Sequence, residues 1–226
     1  MIRNNIINDY ENNIFEDNFE KRLRNAITFA WNIFIKKVGS KLIEINKEAS
    51  MQLQYANILY QLLPIICFEK DESARIELET TVKVDDKNRE IDLTLIGLKG
   101  EQEIKIAVEM KCYKTLASSG EKRGATNIFM KDVYFDLYLL EQYCAQCGFD
   151  KGVSLVMTDD RSRIKPKDKK AKCWDYDISD GFKLEPKKFN TPVGVESINF
   201  ELKKSYNFHW IKNNNIWFLE NEGLDN

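Results

Sequence analysis

Arg89-Glu90-Ile91-Asp92-Leu93-Thr94-Leu95-Ile96 and Ile104-Lys105-Ile106-Ala107-Val108-Glu109-Met110-Lys111 are separated by a polar stretch containing Lys99-Gly100-Glu101-Gln102. Both runs alternate apolar and polar residues with a period of two, which argues for strands, and the polar stretch reads as a hairpin turn. A turn centred between Gly100 and Glu101 sets Ile91 opposite Met110, Leu93 opposite Val108 and Leu95 opposite Ile106. The same register sets Asp92 opposite Glu109, with Lys111 two residues further on and therefore on the same face. One hairpin thus gathers two carboxylates and an ammonium.

Two neighbouring carboxylates repel unless a cation lies between them, and hard oxygen donors suit Mg²⁺, with Mn²⁺ as a substitute. Such a metal lowers the pKa of a bound water and offsets charge on a phosphoryl transition state, while Lys111 supplies a positive charge beside the nucleophile. The alternative is a salt-bridged hairpin face exposed to solvent. Cross-strand charge pairs are common, but that arrangement leaves Asp92 facing another carboxylate, which is destabilising without a cation.

At Asp92, Glu109 and Lys111 the chain resembles the PD-(D/E)XK nuclease superfamily, the restriction-endonuclease-like fold. Ile91 stands where the motif name has Pro. The resemblance covers about residues 43–160 and implies an αβββαβ core. It also implies that Asp92 and Glu109 bind metal with the Met110 carbonyl, that Lys111 assists the attacking water, and that a further Glu on the preceding helix completes the site. Glu48, beside the apolar stripe of that helix, is the first choice for this role, with Glu44, Glu77 and Glu79 as alternatives.

The chain has 226 residues and is 43% hydrophobic, enough to bury a sizeable core, so one domain spanning 1–226 is expected. Within it, 1–40 reads as a helical embellishment, 41–160 as the nuclease-like core, and 161–226 as a basic loop with a C-terminal β extension. The fold class is α/β with a mixed central sheet. No run reaches the roughly 18 apolar residues of a membrane span, and the start Met1–Asp9 has no apolar leader pattern. Five cysteines without scaffold spacing fit a reducing compartment, so a cytoplasmic protein is expected. The formal net charge of −2 gives no global basic excess, so any polyanion site must be a local patch.

Asp17 could cap a helix from about residue 18 to 38, stopped at Gly39-Ser40, and a second helix runs from about Lys41 until Pro64 ends it. Residues 73–86 hold a strand with Ile76, Leu78, Val82 and Val84 on one face. A helix over 128–147 and a buried strand over 153–158 follow the hairpin. The tail from Ser197 reads as strands around the turn Lys212-Asn213-Asn214-Asn215. Cys144 and Cys147 lie on an apolar helical stripe and suit core packing better than half a zinc site. His209, the single histidine, excludes a catalytic triad or any multi-histidine metal centre.

Residues 161–172 carry Arg161, Arg163, Lys165, Lys167, Lys169, Lys170 and Lys172 against one acid, Asp168. This loop, with Trp174 and Tyr176 available for base stacking, is the expected phosphate-contact surface, and Lys122, Arg123 and Lys131 are further candidates. The expected function is Mg²⁺-dependent hydrolysis of nucleic-acid phosphodiester bonds by a restriction-like endonuclease, on double-stranded DNA. The other readings are a non-catalytic nucleic-acid-binding or interaction module on the same fold, and a metal-dependent enzyme acting on phosphorylated metabolites. A homodimer joined through Trp210, Trp217 and Phe218 would bring two sites to a duplex.

Overall fold

The computed structural model describes residues 13–117, 119–124, 126–194 and 199–224. The Met1–Asp9 run and Ser197, where the C-terminal extension is expected to start, lie outside these residues. Helix α1 spans Phe19–Gly39. Its cap is Asn18, whose side chain accepts from the Lys21 N–H, and not Asp17, whose carbonyl is held by Arg22. The chain then turns at Lys41 (φ 61°) and resumes as α2, Glu48–Ile66. The later start is set by Ser50, whose hydroxyl accepts from the N–H groups of Asn46 and Lys47. Pro64 falls inside the last turn without ending the helix, and the Ile66 carbonyl beyond it accepts from buried Arg22.

Strands β1 (Glu72–Val84), β2 (Lys87–Lys99) and β3 (Gln102–Tyr113) form an antiparallel meander. Helix α3 (Thr126–Gln146) crosses over to β4 (Lys151–Thr158), which pairs parallel with β3. Beyond a one-turn helix α4 (Arg161–Ile164) and a 3₁₀ turn (Lys172–Tyr176) come short strands β5 (Lys183–Leu184), β6 (Lys187–Phe189), β7 (Phe200–Leu202) and β8 (Tyr206–Asn207). They pair as β5 with β8 and β6 with β7. A final hairpin, β9 (Ile211–Asn213) and β10 (Ile216–Glu222), adds to the main sheet through β10, antiparallel to β4. The six-stranded order is β1-β2-β3-β4-β10-β9, a mixed sheet. The order α2-β1-β2-β3-α3-β4 matches the sequence reading.

One face of the sheet packs on α1 and α2 through Leu93, Leu95, Ile106, Val108, Met110, Leu155 and Met157. The other packs on α3 and the C-terminal segments through Ala107, Val156, Trp217 and Leu219. Trp210, Trp217 and Phe218 are buried within the chain, and the Trp210 indole donates to the Ile178 carbonyl. They are core residues, which removes the apolar surface on which the homodimer was based.

The β2–β3 register is the one read from the sequence, with Leu93 opposite Val108 and Leu95 opposite Ile106. It ends there. Ile91 and Met110 are not ladder partners, because β2 continues with β1 (Ile91 opposite Thr80) while β3 continues with β4. The fork coincides with Glu79, a non-glycine residue at φ 55°, flanked by the pairs Leu78–Leu93 and Thr80–Ile91. Such a left-handed residue breaks the pleat locally. Accordingly Ile76 packs with the α1–α2 core, whereas Val82, Val84 and Ile91 pack under α3, and Leu78 is exposed. The single apolar face expected for β1 is split in two.

Among the described residues no helix is long and apolar enough to cross a membrane.

Candidate active site

The fork between β2 and β3 is where the polar residues collect. Past Leu93 the strands no longer bond to each other, so backbone groups there need other partners. Asp92 supplies one: its Oδ2 accepts from the Met110 N–H at 2.6 Å. The Asp92 carbonyl is met by Gln52 of α2, which also donates to Glu79. Glu48, the first residue of α2, accepts from the Cys112 N–H through Oε2 at 3.1 Å and from the Lys111 ammonium through Oε1 at 3.3 Å. Three elements distant in sequence are thereby tied together by carboxylate-to-backbone bonds.

Glu109 points to the α3 side, buried, and accepts from the Tyr143 hydroxyl at 2.8 Å. The buried Oδ2 of Asp136, on α3, lies 3.4 Å from the Lys111 ammonium as an ion pair and accepts no hydrogen bond. The sequence reading missed Asp136. The signal was present, because Phe129, Val133, Asp136, Leu140 and Tyr143 follow one another in helical steps of three and four, so an Asp stands inside an apolar stripe.

Four carboxylates thus surround one ammonium. Burial raises the Asp92 carboxyl, with the Met110 N–H and Lys111 opposing. Burial, then Asp136 and Asp92, push Glu109 well above the carboxylate range. Burial likewise lifts Asp136 to about 8, against the pull of Lys111. For Lys111 burial acts downward, but Asp136, Glu48, Asp92 and Glu109 outweigh it, so the side chain stays an ammonium. It is a fixed positive charge here and not a proton acceptor. Burial pushes the adjacent Cys112 thiol up to about 12, which leaves it unreactive.

A cleft of about 410 Å³ opens onto the group, lined by Arg89, Asp92, Glu109, Lys111, Phe135 and Asp136 among others. No family model, curated protein or solved structure matches the chain. The likeness to the PD-(D/E)XK superfamily therefore rests on these residues and on the order of the elements around them. Among the described residues no three Asp, Glu, His or Cys side chains are arranged to hold a metal ion as they stand. Lys111 sits between Glu48 and Asp136 instead. The chemistry of the set nevertheless suits a hard divalent cation, since the donors are all oxygen and the buried Asp136 Oδ2 meets only the Lys111 ammonium, at 3.4 Å and outside hydrogen-bond geometry.

The alternatives to Glu48 lie elsewhere. Glu44 is exposed outside the helix, Glu77 pairs with Arg75, and Glu79 faces Gln52. The basic segment is not the uniform free loop expected from sequence. Arg161–Ile164 forms a helical turn capped by Asp160. Lys169 is committed to Asp177 and Ser179, Lys165 lies 3.7 Å from Asp180, and Arg163 packs over Trp174. Arg161, Lys167, Lys170 and Lys172 are exposed. Tyr176 is buried, with its hydroxyl on the Thr191 carbonyl, and cannot stack on a base. Lys122 is exposed, Arg123 donates to the Asn46 carbonyl near the start of α2, and Lys131 pairs with Asp132. Cys144 and Cys147 are half-buried against the α3-side core, and His209 is exposed.

Proposed function

We propose that the chain is a metal-dependent nuclease hydrolysing nucleic-acid phosphodiester bonds, with duplex DNA as the preferred substrate. The observation that carries this reading is the fork at the cleft, where Glu48 of α2 and Asp136 of α3 pair with Lys111 and the acidic side chains of Asp92 on β2 and Glu109 on β3 lie close enough to act on it. A set that crowded with carboxylates is costly unless it serves a cation or a reaction.

Asp92 and Glu109, with the Met110 carbonyl, would hold Mg²⁺ or Mn²⁺. When bound, the ion lowers the pKa of a water and offsets charge on the phosphoryl group. Lys111, held as an ammonium, would orient the attacking water and stabilise the negative charge that builds on the phosphate. Glu48 positions Lys111 and fixes the backbone of β3 at Cys112, while Tyr143 holds the Glu109 carboxylate in place. The exposed cations Arg161, Lys167, Lys170 and Lys172 would neutralise neighbouring backbone phosphates.

A second reading, a binding module on the same fold without turnover, is favoured by one observation: Lys111 bridges Glu48 and Asp136, so ion pairs within the chain offset part of the acidic charge. Incubating the protein with duplex DNA, single-stranded DNA and RNA in Mg²⁺, Mn²⁺ and EDTA separates the two. Cleavage that needs the divalent ion supports the nuclease. Binding without cleavage of any of the three supports the module.

A further inference from the structure

Arg89 lies on β2, three residues before Asp92, opposite Val82 of β1. Its guanidinium carbon is 5.2 Å from the centroid of the Phe135 ring, and Phe135 immediately precedes Asp136 on α3. The Nε atom is buried and has no hydrogen-bond partner. An unsatisfied donor of that kind costs stability, and a charged one costs more. Both Arg89 and Phe135 line the cleft that also holds Asp92, Glu109 and Lys111. The ring under the guanidinium restricts its plane, and a planar fork matches two oxygens of one phosphate group.

We propose that Arg89 is the phosphate grip of this cleft, taking a backbone phosphate beside the one that is cleaved. The inference rests on the phosphodiester reading and adds a residue that the motif does not contain. It also implies an order of events. Even with Glu109 and Asp136 holding their protons, Asp92, Glu48, Glu90 and Asp132 outnumber Arg89 and Lys111 around the cleft. A polyanion entering alone meets net repulsion, so divalent cation and phosphate bind with positive coupling, each tightening the other.

The test is fluorescence anisotropy of a labelled duplex with the intact chain in Ca²⁺ and in EDTA, on the parent, Arg89→Gln and Arg89→Lys, alongside cleavage kinetics in Mg²⁺. The parent should bind about tenfold or more tighter in Ca²⁺. Arg89→Gln should lose about tenfold in Ca²⁺ and show the loss in KM more than in kcat, with Arg89→Lys intermediate because it keeps the charge but not the fork. Mn²⁺ should bind Arg89→Gln at least as tightly as the parent, since a nearby positive charge is gone. If Arg89→Gln does not fold, Arg89→Lys decides on the same readouts. Variant affinity and KM within about twofold of a cleaving parent overturn the role of Arg89 and leave the nuclease intact. A parent that neither binds nor cleaves overturns the nuclease reading itself.

Discussion

Replacing Asp136 with Asn should stabilise the metal-free protein at neutral pH and flatten its stability against pH. In the unfolded chain this carboxyl loses its proton near 3.8; in the folded protein burial holds the proton up to about 8. Between those values the native state binds more protons than the unfolded one, so stability falls as pH rises. One full proton gives a slope of about 1.4 kcal/mol per pH unit, or about 3 kcal/mol between pH 5 and pH 7. Glu109 and Asp92, also raised by burial, share this proton uptake, so about 3 kcal/mol is the most that Asp136 alone can account for. Asn has no proton that titrates in this range and keeps the shape. Urea unfolding of both proteins in EDTA at pH 5, 6 and 7 reads the slopes directly. If Asp136 is instead an ionised partner of Lys111, its loss leaves a buried ammonium short of charge and costs about 3–5 kcal/mol. An Asp136→Asn protein less stable than the parent at pH 7, with an unchanged slope, would refute the reasoning.

Glu72 titrates in the opposite sense: burial acts upward, but Lys99, the Phe68 N–H and Arg22 hold it down to about 2. Glu72→Gln should cost about 3–5 kcal/mol near neutrality by stranding buried Arg22, and the gap to the parent should close as pH falls from 4.5 through 2 in acid-unfolding curves. Gly152→Ala should destabilise by about 1–3 kcal/mol in urea unfolding, because the new methyl would lie 2.8 Å from Leu140 Cβ and press α3 off β4. Replacing Lys167 and Lys170 together by Gln should weaken duplex binding at every sequence and lower the log–log salt slope by up to about 0.9 for each phosphate no longer neutralised. Lys169→Gln should instead lower the melting temperature, since Lys169 holds Asp177 and Ser179.

The hairpin register could be read from sequence because alternation and a polar turn are local properties, and Leu93–Val108 through Lys99–Gln102 pair as alternation demands. The end of that ladder was not readable. It depends on a left-handed Glu79 one strand away and on Asp92 taking the Met110 N–H, both choices made by the assembled sheet. Glu48 was found from its place beside an apolar helical stripe, although the helix starts seven residues later than the stripe suggests, because Ser50 caps it there. Asp136 was hidden by reading the stripe through Leu137 instead of through the Asp beside it. The tail aromatics looked like an interface because composition says that they must be buried but not against what. The β4–β10 pairing buries Trp217 and Phe218 inside the chain, and Trp210 is buried against the segment that holds Ile178.

The most direct test of the central claim is single-turnover cleavage of a duplex in Mg²⁺ by the parent and by Glu109→Gln. The amide keeps the size of the side chain and an oxygen for the Tyr143 hydroxyl, so folding should survive while the carboxylate that would ligate the metal is lost. The account predicts a rate loss of about 10³ or more, and no cleavage by the parent in EDTA. A Glu109→Gln rate within about tenfold of the parent's, or parental cleavage that persists in EDTA, would contradict it.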